Sequence, residues 1–216
     1  AIIKTGLPSF FRQGLASIAT VMLNVNAAVY GDAAVAAMSV VGKVFMLILS
    51  VLIGFGQGYQ PVVGFNYGAG CYQRVKQSFT FTTIVSFVMM GILAAAGFVF
   101  APQVIQLFTK ADAQVLEIGT YAMRAQCLAL FIQPLGVISN MTFHSIGKPA
   151  EATFLSACRQ GVFFLPLIII LPRLWQLRGV ELTQPLADVL TFIVCFPFLF
   201  KFFKELNQKI AEQEGA

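Results

Sequence analysis

Between Gln13 and Gly31, Val44 and Gln73, Gln77 and Thr109, and Ala125 and Gly147, the chain carries no Asp, Glu, Lys or Arg. Each window reaches or passes the roughly 18 to 20 residues that a helix requires to cross ~30 Å of hydrocarbon. Nothing else in the sequence constrains the fold as tightly, because a backbone in lipid must satisfy its own polar groups and a helix does so within one segment. Two further stretches, 152–171 and 183–200, are long enough to span but contain Arg159 and Asp188, and they bring the expected count to six. The composition agrees: 58% hydrophobic residues, 11% charged and a mean hydropathy of +0.81 lie outside the range of soluble domains. The fold class predicted is an all-α integral membrane protein, a bundle of six transmembrane helices.

Several classes are excluded. No signal peptide is recognisable in AIIKTGLPSFFRQG, and the absence of an initiating Met suggests a fragment. Cys71, Cys127, Cys158 and Cys195 are widely spaced without a CxxC pattern and read as small apolar packing residues, so no metal site or cofactor is expected. GFGQG is not GxGxxG and follows no strand, which removes a nucleotide site. One His, no HExxH and no paired intramembrane carboxylates argue against an intramembrane enzyme. The net charge of +5 is not a nucleic-acid signature, since no basic stripe interleaves with aromatics. It sets topology instead. With the amino terminus in the cytoplasm, Lys4, Arg12, Arg74, Lys76, Lys148, Lys201, Lys204 and Lys209 lie inside and Lys110, Arg173 and Arg178 outside, eight against three. Both chain ends are then cytoplasmic, in a multi-pass protein of the cell membrane whose charge meets anionic lipid.

The predicted helices run over about 9–30, 33–66, 79–100 and 114–143, followed by the two later stretches. Residues 1–203 form the lobe, and 204–216, ending KELNQKIAEQEGA, form a fraying cytoplasmic tail. APQVIQLFTKADAQ and PRLWQLRGVELTQ read as external turns. At about 1.5 Å per residue, Lys43 and Arg124 sit roughly 15 Å deep, Arg159 about 12 Å from the inner side and Asp188 about 7 Å from the outer side. The last two differ by roughly 11 Å, too far for a direct pair. An ionisable group at such depth marks either function or a contact that holds the bundle, and both readings stand for Lys43, Arg124 and Arg159. Asn24 and Asn26 point to different faces and serve either interhelical hydrogen bonds or, with Gln133, a polar cavity wall. His144 sits beside a turn, at the interface.

GFGQGYQPVVGFNYGAG, residues 54–70, ends the second helix near the interface. Gly54 with Gly58 and Gly64 with Gly68 have the four-residue spacing that lets helices approach, and Pro61 frees a carbonyl and permits a bend. A gating segment is predicted here, with Gln60, Pro61, Asn66 and Tyr67 as its residues.

The run GFGQGYQPVVGFNYGAGCYQRVKQSF resembles the second half of multidrug and toxic compound extrusion (MATE) transporters, in the MepA-like branch. LPSFFRQGLASIA, GDAAVAAMSVVGKV, HSIGKPAEATFLSACRQ and FLPLIIILP extend the likeness over nearly the whole chain. Gln60-Pro61 through Ala69 is its most specific part, and Arg159-Gln160 with Pro166 supports it independently. The resemblance implies one lobe, family helices seven to twelve, of a pseudo-twofold twelve-helix exporter of organic cations and other amphipathic compounds, driven by H⁺ or Na⁺. Its partner is then the amino-terminal six-helix half. Some branches carry acids in the first and fourth helices of this lobe; here Gln13–Gly31 and Leu128–Phe143 have none. Asp188 is the one acid placed clearly inside a span, a shallow ion-coupling candidate, and the main coupling carboxylate is expected in the other half. Met22, Met38, Met46, Met123 and Met141 suit an adaptable drug-cavity wall, although lipid-facing and core positions use the same residues. The alternative within the wider superfamily is a flippase for lipid-linked saccharides, which basic residues in the cavity would favour.

Overall fold

A computed structural model describes the backbone of residues 2–108 and 112–214 and the side chains of 13–108 and 112–213; the side chains of Lys4 and Arg12, and all of Lys110, lie outside it. Every regular element among the described residues is helical: α1 Ile2–Ala28, α2 Asp32–Gly68, α3 Tyr72–Val99, α4 Ala101–Phe108, α5 Ala113–Leu130, α6 Gln133–Ser145, α7 Pro149–Ala157, a π-helical turn Cys158–Phe163, α8 Phe164–Trp175 and α9 Leu177–Glu214. Four of the helical runs, at 32–68, 72–99, 149–175 and 177–213, are long and apolar enough to cross a membrane, and the bent pair α5–α6 makes a fifth. α1 is helical over its predicted span, its apolar run diluted by Asn24 and Asn26.

Packing follows the small residues. Ala27, Ala34, Ala37, Ala101 and Ala187 are fully buried, because helices in lipid associate by close backbone approach rather than by hiding apolar surface from water. Around them Leu52, Met90, Ile105, Ile138, Phe164 and Ile168 fill one continuous core. Val21, Leu47, Phe65, Leu107 and Phe200 stay exposed on the rim, which a chain in water would not tolerate in such number.

Four sequence expectations are corrected. The predicted fourth helix is two helices bent by 53°, because Pro134 lacks the N–H that would bond the Leu130 carbonyl and disfavours helical geometry at Gln133. APQVIQLF is a short helix, not a turn. PRLWQLRGVELTQ is nearly all helical, the reversal being concentrated at Gln176 with φ 51, and a Cβ at Gly179 would meet the Leu171 carbonyl oxygen at 2.2 Å. α9 also continues to Glu214 instead of fraying. Its last turns are amphipathic and bury Leu206, and three bonds fasten them to the α2–α3 turn: Lys209 Nζ donates to Tyr67 Oη at 3.0 Å, Gln213 Nε2 to the Gly70 carbonyl at 2.9 Å, and Lys76 Nζ to Asn207 Oδ1 at 3.0 Å. Gly70, at φ 74, supplies the left-handed turn on which this contact rests.

Of the spaced glycines only Gly64 meets a neighbouring helix, where a Cβ would lie 3.3 Å from the Ser145 carbonyl oxygen; Gly54, Gly58 and Gly68 face open space, and a tighter approach is at Gly56. A Cβ at Gly56 would lie 2.2 Å from Met141 Sδ. Beside it Tyr59 Oη and Thr142 Oγ1 share a hydrogen bond of 2.9 Å, so α2 and α6 are joined by packing and by one buried polar contact.

Candidate functional site

α1, α2, α6, α7, the π-turn and α9 enclose a cavity of about 540 Å³, open on one side. Its walls are mostly apolar and include Met46, Leu49, Ile53, Met141 and Phe192. Its polar surface is supplied by amides, Gln13 from α1, Gln57 and Gln60 from α2, Gln133 and Asn140 from α6 and Gln160 from the π-turn, together with the hydroxyls of Thr153, Ser156 and Thr191, His144, and the charged Arg159 and Asp188.

The one ion pair on the cavity overturns the sequence expectation. Arg159 Nε donates to Asp188 Oδ1 at 2.7 Å. The depth arithmetic failed because it started the last helix at Thr183. α9 starts at Leu177, which puts Asp188 eleven residues, about 16 Å, along it, while Arg159 lies ten residues, about 15 Å, from the opposite end of its own span. In a core of ~30 Å those two depths coincide. Asp188 accepts two further hydrogen bonds, from Gln126 Nε2 at 3.3 Å and Gln184 Nε2 at 3.4 Å. Three donors from α5, the π-turn and α9 therefore cover the carboxylate, whose side chain is 2% exposed, whereas the Arg159 side chain is 19% exposed and lies 5.8 Å from the Phe45 ring.

The π-turn explains how Arg159 reaches the carboxylate. One extra residue per turn rotates the side chains after Cys158 relative to a regular helix, and Gly161 admits the neighbouring α1, since a Cβ there would meet Leu15 at 3.3 Å. Across the cavity, α6 begins at Gln133, whose Nε2 is buried and has no hydrogen-bond partner among the described residues. Gln160 Oε1 is likewise without one. Asn140 is committed: its Nδ2 donates to Ser156 Oγ at 2.8 Å and to the Ala152 carbonyl.

Of the residues singled out from sequence, Gln60, Gln133, Arg159 and Asp188 line this cavity, as do Met46, Met141 and His144. Asn24, Asn26, Lys43, Pro61, Asn66, Tyr67 and Arg124 do not. Asn26 and Asn66 donate within their own helices, to the Met22 and Val62 carbonyls, each at 2.8 Å. Tyr67 belongs to the α9 clasp. Arg124 is exposed and packs over the Phe98 ring at 5.4 Å, and Lys43 is exposed. Met38 and Met123 are buried in the core. Sequence reasoning missed Gln57, Gln126, Asn140 and Gln160, although a polar amide inside an apolar window is the available signal for each. It also missed Glu181, whose buried side chain on α9 pairs with Arg178 at 3.5 Å.

The MatE family model matches residues 8–170. The multidrug export protein MepA of Staphylococcus haemolyticus is 22% identical over 196 residues, which is 90% of this chain and 43% of that protein. MepA of Staphylococcus aureus strain bovine RF122 / ET3-1 is 25% identical, over 88% of this chain and 41% of that one. Among solved structures, an outward-facing multidrug resistance MATE transporter of the MOP superfamily superposes with a TM-score of 0.87 at 25% identity, covering 96% of this chain and 47% of its own. An inward-facing one gives 0.87 at 24%, covering 96% and 48%. A MOP superfamily transporter from Pyrococcus furiosus, described as having a binding pocket of reversed polarity, gives 0.87 at 25%, covering 95% and 47%. The chain spans about half the length of the relatives it matches. With an apolar helical bundle, a cavity opening between its helices and a family model covering most of its length, the chain belongs to the MatE family.

Proposed function

We propose that this chain is the carboxy-terminal lobe of a multidrug exporter that moves organic cations and other amphipathic compounds across the cell membrane in exchange for H⁺ or Na⁺. The observation that carries the reading is the cavity: about 540 Å³, largely apolar, with a few amides, in a bundle of MatE topology. Such a surface holds varied amphipathic molecules by area and adaptable contacts rather than by a fixed shape. The proposed partner is the amino-terminal six-helix half, and both chain ends are proposed to face the cytoplasm, as the count of basic residues indicates.

Equal likeness to an outward-facing and an inward-facing transporter supports a cycle in which the lobe rocks as a unit. The coupling ion is proposed to act mainly in the other half. Asp188, already sealed by three donors, has little capacity left for a cation unless Arg159 moves away. Ethidium efflux from proteoliposomes tests the reading: the chain together with its amino-terminal half should export, and the chain alone should not. Efflux by the isolated chain would contradict the division of labour.

The flippase alternative draws support from Arg159 alone, because Lys43 and Arg124 lie outside the cavity. One guanidinium is a poor match for the several charges of a lipid diphosphate.

A further inference from the structure

Counting which polar atoms remain free in the cavity reverses the usual expectation for a cation exporter. Arg159 and Asp188 are the only formal charges on its wall among the described residues, and they cancel. They are not equally available. The carboxylate is enclosed by three donors and 2% exposed; the guanidinium uses only Nε in a hydrogen bond, and its two terminal nitrogens make none among the described residues. A ligand entering the cavity therefore meets the positive partner of the pair.

A second feature adds donor capacity where the first turn of α6 reaches the wall at Gln133 and Gly136. Gln133, 6% exposed, holds a donor nitrogen that no protein acceptor satisfies. A buried amide donor left unpaired is costly, and a ligand acceptor would recover that cost. Gln160 Oε1 is a buried acceptor without a partner among the described residues, suited to a ligand hydroxyl or N–H.

We infer that Arg159 and Gln133 form a subsite for the carboxylate of an aromatic or otherwise amphipathic substrate, whose apolar body rests on Met46, Met141 and Phe192. The inference rests on the reading of the chain as the lobe of an amphipath exporter and names the substrate class of its cavity. A monoanion matches the site, since one guanidinium and one neutral amide donor face it.

Binding of three matched probes to the full chain in lipid nanodiscs tests this: pyrenebutyrate, its methyl ester and the pyrenebutyl trimethylammonium ion, each measured by equilibrium dialysis against empty discs. Pyrenebutyrate should bind about tenfold tighter than the other two, a difference of ~1.4 kcal/mol. Arg159→Gln should invert the order in favour of the ammonium ion by uncovering Asp188, and Arg159→Gln with Asp188→Asn should leave no preference. Gln133→Leu, which keeps the ion pair, should weaken pyrenebutyrate severalfold and leave the ester unchanged. Should the Arg159 variants not fold, Gln133→Leu decides alone, and an unchanged pyrenebutyrate affinity overturns the subsite. An ammonium probe that binds wild type as tightly as pyrenebutyrate overturns the inference and leaves the exporter reading standing. A carboxylate preference that survives the double substitution overturns the role of Arg159. No saturable binding of any probe overturns both readings.

Discussion

Replacing Arg159 by Met keeps an unbranched apolar stem but removes the guanidinium, and with it the charge beside Asp188 and the contact over the Phe45 ring. Breaking a buried pair on one side costs about 3–5 kcal/mol, because the remaining charge stays buried without its partner. Gln126 and Gln184 still donate to Asp188, so the lower end of that range applies, about 3 kcal/mol. For a chain of this size 1 kcal/mol shifts the midpoint by about 2–4 °C, so the variant should melt about 6–12 °C below wild type. Adding Asp188→Asn removes the stranded charge, and the double variant should recover to within about 1 kcal/mol of wild type. Thermal unfolding in one lipid–detergent mixture, followed by helical circular dichroism, reads all four corners of the cycle. Equal melting of the single and double variants would refute the argument. So would an Arg159→Met protein as stable as wild type, the result expected had the two residues been 11 Å apart in depth.

The glycines give a sharper local test. Gly179→Ala should lower the melting midpoint strongly, since its Cβ would lie 2.2 Å from the Leu171 carbonyl oxygen, whereas Gly54→Ala meets nothing within 4 Å and should be neutral or slightly stabilising. Equal effects would show that the α8–α9 turn is looser than described. Lys209→Met removes the bond to Tyr67 and the contacts with the Tyr67 and Tyr72 rings, each at 4.9 Å. It should speed amide hydrogen exchange over 207–213 and cost no more than about 1 kcal/mol globally; unchanged exchange there would mean that Leu206 packing holds the tail by itself. Pro61→Ala restores the missing bond to the Gln57 carbonyl and should slow transport by the assembled protein, an effect read as ethidium efflux rate. An unaltered rate would remove Pro61 from the gating of this lobe.

The charge-free windows foretold the helices because the cost of an ionised group in lipid is set by the solvent and makes such groups rare in spanning segments. They could not foretell a break. Gln133-Pro134 lies inside an apolar window whose mean hydropathy is indifferent to one missing N–H, so α5 and α6 read as one helix. The Arg159–Asp188 pair was hidden by Arg178 and Glu181, two charges that place a helix boundary too late when counted singly. Paired with each other at 3.5 Å, one turn apart, they are compatible with a helix that begins before them. The α9 clasp was missed for the opposite reason: KELNQKIAEQE is polar on average, and only the spacing of Leu206 and Ile210 betrays a buried stripe. The cavity residues were legible only as isolated amides. Which of them converge depends on helix rotation, and the π-turn changes that rotation after Cys158.

Three departures from regular helix border the same cavity. Pro61 leaves the Gln57 carbonyl without its helical donor, Pro134 ends the ladder at the α5–α6 break, and the π-turn widens the helix at Arg159 and Gln160. A membrane punishes each unsatisfied backbone group by several kcal/mol when it faces lipid, so irregular backbone survives at depth only where protein or a water-filled space satisfies it. All three bring a residue to one wall of the cavity, whereas Pro172, Pro185 and Pro197, which interrupt the ladders of α8 and α9 in the same way, lie elsewhere. At that wall water or a polar ligand group replaces the missing helical bonds, the chemistry an amphipathic substrate brings at its polar end.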